Sequence, residues 1–196
     1  MSDVIDRLVG VTQGSPVDQV RRRRPVTRDH AQGSWNALFE PQVLGTVPLK
    51  ERYAVALFVT GVSGDEVAGF YWAGLLREGG GDWAPGIDQA VQAGTTHGPY
   101  GRYDTHGNLA HESVEGLRFR VADALRPQLG EKLAAALDHA HLLVFRPRES
   151  SQAALKLLTD AGWSVTDVVT LSQLVAFLTF QLRVVAGLRV LGEVAR

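Results

Sequence analysis

Apolar side chains recur at three- and four-residue spacing through most of the chain rather than alternating, and this period predicts helices. Over residues 48–62 the apolar positions Leu49, Tyr53, Val55, Ala56, Leu57, Val59 and Val62 leave charge only near the first turn. The spacing predicts a central helix there. Ser63-Gly64-Asp65-Glu66 reads as a capping box, in which Ser reaches forward to the third amide and Glu reaches back. A second helix then runs through Phe70, Trp72 and Leu75 to Gly79, so the two form an antiparallel hairpin, the ordinary unit of an all-α fold. Upstream, Ser15-Pro16-Val17-Asp18 supplies an N-cap, a proline at the first helical position and an acid at the third. The short helix it opens ends in Arg21, Arg22, Arg23 and Arg24 before Pro25, where cations complement the negative end of the helix dipole. That basic run is expected to be a solvated helix end. Thr27 with Asp29 is expected to start the next helix, whose Ala31, Trp35, Leu38 and Phe39 form one apolar face, and Pro41 ends it.

Residues 79–114 change character. Gly79-Gly80-Gly81, Pro85, Gly94, Gly98-Pro99, Gly101 and Gly107 predict a long irregular loop broken by one short helix at 85–93. Loops of this length in compact domains commonly act as lids or interface arms, or are mobile. Helices are expected to resume near 115, with clear ones over 130–145 and 150–161 and Gly162 at a left-handed C-cap. Ser164-Val165-Thr166-Asp167 is a second capping box and opens the longest helix. Val168, Leu171, Leu174, Phe177, Leu178, Phe180, Val184 and Leu188 make that helix apolar on nearly every side, which predicts burial all round, between subunits. Its uncharged run between Asp167 and Arg183 is shorter than the roughly 20 residues that cross a bilayer. It also contains Gln173 and Gln181, so a core or interface helix is expected and no membrane association.

With 196 residues and 45% apolar side chains, the chain can bury one substantial core. A single domain over 1–196 is expected, with 1–26 as a helical arm and 27–196 as the core. A formal charge of −1 lacks the positive footprint that displaces counterions from phosphates, which argues against nucleic acid. The sequence contains no cysteine. That excludes thiol nucleophiles, disulfides, thiolate zinc sites and iron–sulfur centres, and leaves His, carboxylates, Tyr or a bound cofactor for any chemistry. No phosphate-cradling or dinucleotide glycine motif is present, so no cofactor is expected. Residues 1–10 carry early acids and no long apolar stretch, and a cytoplasmic location is expected.

The segment Leu49-Lys50-Glu51-Arg52-Tyr53-Ala54-Val55-Ala56-Leu57-Phe58-Val59-Thr60-Gly61-Val62-Ser63-Gly64-Asp65 resembles the core of the alkylhydroperoxidase D and carboxymuconolactone decarboxylase (CMD) superfamily. Leu137-Asp138-His139-Ala140-His141-Leu142-Leu143-Val144-Phe145, Ala161-Gly162-Trp163 and the stretch from Val169 onward extend the resemblance over about 27–192. It is similar to a cysteine-free, peroxidase-related branch. The resemblance implies an alkylhydroperoxidase-like helical bundle that is a homo-oligomer, as a dimer, trimer or hexamer. Where the peroxidase branch has its two cysteines this chain has Asp65 and Ala68, the motif histidine falls on Trp72, and the relay glutamate falls on Tyr53. All four positions depart from the pattern, so the peroxide-reducing mechanism does not transfer.

Several residues have chemistry worth placing. Asp65 and Glu66 sit at a helix start, where a carboxylate is stabilised and therefore weakly basic. His139 and His141 lie two apart on a helix and cannot share one metal; each is expected to be a satisfied structural histidine. His97, Asp104, His106 and His111 have ligand-type chemistry at a spacing that matches no metal motif. Gln173 and Gln181 are expected on one face, bridging to a neighbouring helix or subunit. The expected pocket gathers Tyr53, Asp65, Trp72 and His141 around a small apolar or aromatic molecule. Two functions stay open: a non-catalytic scaffold or ligand-binding subunit, which could associate with a redox-active relative, and a cofactor-independent lyase using His or carboxylate acid/base chemistry on a small carbonyl acid.

Overall fold

The computed structural model describes residues 3–79, 82–103 and 109–194. Among them the chain is all-helical: α1 (Val4–Val9), α2 (Pro16–Arg22), α3 (Pro25–Phe39), α4 (Leu49–Val62), α5 (Glu66–Glu78), α6 (Ala84–Gly94), α7 (Arg126–Leu129), α8 (Glu131–Phe145), α9 (Gln152–Asp160) and α10 (Val165–Val194). Helix α4 is the centre of the fold. Every residue from 54 to 60 is buried, because α5, α6, α8 and α10 all pack against it. A helix covered on all sides has to be apolar all round, and α4 is so after its first turn. Its single buried hydroxyl, on Thr60, donates back to the carbonyls of Ala56 and Leu57 and needs no outside partner.

Close approach of α4 and α6 depends on Gly61. A methyl group there would lie 2.7 and 2.9 Å from the two γ-carbons of Val91, a side chain held stiff by its β-branch. Gly61→Ala is expected to lower stability by about 1–3 kcal/mol through overpacking. Combining it with Val91→Ala should recover part of that loss; a double-mutant cycle by urea unfolding checks this, and strict additivity of the two changes would refute the contact.

The α4–α5 hairpin forms as the pattern predicts, with a different cap. Asp65 is the N-cap, its carboxylate accepting from the Ala68 amide at 3.0 Å. Ser63 instead donates to the Val59 carbonyl and belongs to the end of α4. Gly64, at φ +75°, makes the left-handed turn between the two helices. The second capping box is realised in both directions: the Asp167 amide donates to Ser164 Oγ, and the Ser164 amide to the Asp167 carboxylate.

The N-terminal segment is not an appended arm. Val4 and Ile5 of α1, a helix the sequence pattern did not reveal, enter the common core, and α1 packs along α10 and α3. Nor is the basic run wholly solvated. Arg21 is buried and pairs with Asp3 and Asp6, while Arg28 bridges the same two carboxylates from α3. Helix α3 starts at Pro25, two residues before the expected Thr27, since proline suits a first helical turn.

Helices do not resume near 115; after one 3₁₀ turn over Ala110–Glu112 and the four-residue α7, longer helix returns at Glu131. The backbone of this stretch is satisfied by side chains instead. The buried Arg146 guanidinium donates to the Gly116 carbonyl, and the Asp138 carboxylate accepts from the Val121 amide at 2.6 Å.

Helix α10 is 30 residues long and, by length and composition alone, could cross a membrane. In the fold it serves as a core helix: Leu171, Leu174, Leu178, Leu182 and Val185 form one buried stripe facing α1, α4 and α8. It is not buried all round. Val165, Val169, Phe180, Val190 and Val194 are exposed in the single chain.

Candidate functional site: the His139 cleft

On α8 the residues Ala135, Asp138, His139 and Leu142 share one face by their three- and four-residue spacing. Ala154, Leu157, Leu158 and Ala161 repeat that spacing on and just after α9. The two faces oppose each other, and the small side chains Ala135 and Ala154 leave room between them. The result, closed on one side by residues 118–120, is a cleft of about 510 Å³ with a mainly apolar wall. This size lies within the range that holds small organic ligands.

His139 lines the cleft and is 5% exposed. Its Nε2 is 3.0 Å from Ser172 Oγ, whose only proton points to the Val168 carbonyl at 2.8 Å. With that proton on the carbonyl, the serine accepts and His139 donates from Nε2. The remaining ring nitrogen, Nδ1, is buried and has no partner among the described residues. Burial pulls the His139 pKa down from 6.5 to about 4, so the imidazole is neutral at physiological pH.

The charged residues around the cleft are mostly tied to one another. Asp138 accepts from Arg126 at 2.9 Å, and burial raises its pKa against that attraction. Arg126 also donates to Glu131. Glu149 is held by Arg146 and Arg118, which keep its pKa below the usual carboxylate value. Lys156 covers Asp160. Arg120 stands apart: it approaches Asp138 only to 3.9 Å and makes no hydrogen bond among the described residues.

The four residues expected to share one pocket do not meet in one cavity. Tyr53 and Trp72 belong to an aromatic cluster with Trp35 and Phe39, with ring centroids 4.5 Å apart for Phe39 and Trp72 and 6.1 Å for Tyr53 and Trp72. This is solid packing. His141 lies on the other side of α4, where its ring sits 4.7 Å from both Phe119 and Phe145 and its Nε2–H donates to the Gly94 carbonyl at 2.9 Å. That is a satisfied structural histidine, and burial lowers its pKa. Asp65 caps α5 and pairs with Arg189 at 3.2 Å. It lines a separate, more open cleft of about 660 Å³, together with His97 and Arg183.

Of the residues with ligand-type chemistry, His97 and His111 are exposed and lie apart, while Asp104 and His106 lie outside the described residues. Among the described residues no three histidines or carboxylates cluster closely enough to hold a metal ion. Gln173 and Gln181 do not share a face: Gln173 is exposed, whereas Gln181 is buried with an unpartnered Nε2. His139 was expected to be a satisfied structural histidine; it is buried, but its Nδ1 has no partner among the described residues, and its cleft was not foreseen. The available signal was the matching small-residue faces of residues 135–142 and 154–161. No family model, curated protein or solved structure matches the chain.

Proposed function

We propose that this chain is a cysteine-free protein of alkylhydroperoxidase-like fold that binds a small, largely apolar molecule in the His139 cleft and performs no thiol peroxidase chemistry. One observation supports this above the others: a cleft of ligand size, about 510 Å³ with a mainly apolar wall, bounded by the buried and neutral imidazole of His139. The same geometry ranks binding above catalysis. A general base works best with a pKa near the operating pH, and an imidazole of pKa about 4 is a poor one. The lyase reading is therefore the weaker of the two.

The exposed Phe70 and Tyr71 of α5 and Phe180 of α10 support a homo-oligomer, because a copy or a redox-active relative docked there would remove them from water. Thermal shift against a panel of small acids, phenols and carbonyl compounds tests the binding reading. A ligand present at a hundred times its Kd should stabilise the wild type by about 2.7 kcal/mol. His139→Leu, which keeps much of the volume and replaces the imidazole that bounds the cleft, should reduce that gain. Equal stabilisation of both proteins would overturn the assignment.

A further inference from the structure

Resting on the homo-oligomer proposed above and independent of the His139 cleft, we infer that α10 joins two copies of this chain. The two helices lie antiparallel about a two-fold axis beside Leu178, and Arg183 of each copy meets the partner's Gln173.

The outer side of α10 is wrong for water. A surface helix normally turns charged and polar side chains outward. Between Thr166 and Glu193, however, the only exposed polar side chains of α10 are Gln173 and Arg183; the other exposed positions are Val, Ala, Phe, Gly and Leu. From Val169 to Val190 the exposed stripe advances by alternating steps of four and three, through Ala176, Phe180 and Gly187. That is the seven-residue repeat of a coiled-coil seam, which packs along a second helix. The inner face of α10 is already spent on α1, α4 and α8, so the stripe is left for a partner. Arg183 in the middle of it favours protein over lipid, since a charge deep in a bilayer costs about 3 kcal/mol or more.

The same stripe fixes direction and register. In a parallel pair each residue meets its own copy, and Arg183 would face the partner's Arg183. In an antiparallel pair, residues equally far from the axis on opposite sides meet. With the axis beside Leu178, Phe180 faces the partner's Ala176, Gly187 the partner's Val169, Val190 the partner's Thr166 and Arg183 the partner's Gln173. Large side chains meet small ones in the first two layers. The two polar side chains find each other, the guanidinium donating to the amide oxygen. Sliding one helix by a seven-residue repeat in either direction breaks this match: Arg183 then meets the partner's Phe180 or the partner's Thr166, and Gln173 the partner's Val190 or the partner's Ala176. A patch complementary to itself about a two-fold axis is what a closed dimer requires.

Sedimentation equilibrium and disulfide mapping of the full chain test this, and the absence of native cysteine makes every introduced thiol unique. Wild type should sediment as a dimer. Phe180→Asp, an exposed change that sets a carboxylate against the partner's Ala176, should weaken association by about tenfold or more, close to 1.4 kcal/mol, with the far-UV circular dichroism spectrum unchanged. Val169→Cys and Gly187→Cys both fall at open positions. Mixed under mild oxidation, these two single-cysteine chains should give a crosslinked pair. Each alone should give none, because like thiols lie about 27 Å apart along the seam. A wild type that stays monomeric, whether free or on phosphatidylcholine vesicles, would overturn the α10 contact and the homo-oligomer together and leave the ligand reading standing. A dimer indifferent to Phe180→Asp, a missing mixed crosslink, or crosslinking of either chain with itself would overturn the α10 assignment while the homo-oligomer stood.

Discussion

Arg52→Met is expected to lower folding stability by about 4 kcal/mol, among the largest effects of any single change in this chain. Arg52 is 4% exposed and pairs with no carboxylate among the described residues. Its guanidinium instead donates to four backbone carbonyls: Val47 at 3.0 Å, Leu38 at 2.6 Å, Ala37 at 3.4 Å and Leu44 at 2.7 Å. Two of these are last-turn carbonyls of α3, where the helix dipole is negative, so the cation is matched by aligned peptides rather than by an ion. Methionine fills much of the space and supplies no donor. The orphaned carbonyls, at about 1–3 kcal/mol each where water cannot reach, outweigh the relief of no longer burying a charge. For a chain of this length the loss corresponds to roughly 8–16 °C in Tm. Urea denaturation measures it directly, and a loss under about 1 kcal/mol would show that the carbonyls find other partners.

The effect should reach the cleft as well. Arg52 fixes residues 44–47, and Thr46 in that loop donates to Asp167 at the start of α10. Helix α10 in turn presents Ser172 to His139. Loosening the loop frees the helix end that sets the imidazole tautomer.

The all-helical fold was legible because its signal is local. The period of residues 49–62, the reciprocal Ser164–Asp167 cap and the left-handed Gly162, at φ +98°, depend on neighbours within a turn or two. What failed to show was set by distant partners. Residues 113–125 stay irregular because Arg146 and Asp138, on or beside α8, satisfy their backbone. Arg21 looked like a solvated helix end because its carboxylates, Asp3 and Asp6, lie 18 and 15 residues away. The expected pocket failed for a related reason. Spacing along α4, α5 and α8 says which residues are buried, yet not that α4 itself stands between Trp72 and His141. The His139 cleft depends on two helix faces meeting, and no single window of sequence contains both.

Acid should destabilise the wild type through His139, and the direction follows from where the proton goes. Unfolded, the imidazole protonates near its ordinary 6.5; folded, burial holds it to about 4. Between those values the unfolded chain binds more protons, so stability is highest above pH 6.5 and falls as the pH drops toward 4. A gap of that size amounts to about 3 kcal/mol. His141, also lowered by burial, acts in the same direction. Asp138 and Glu51 act oppositely, since burial raises their folded pKa values and protonation then favours the native state. Subtracting the urea-unfolding profile of His139→Leu from that of wild type isolates the histidine. Relative to its standing at pH 7.5, the variant should gain about 3 kcal/mol by pH 4. A flat difference profile would mean that His139 is protonated in the folded state and that burial does not hold its imidazole neutral.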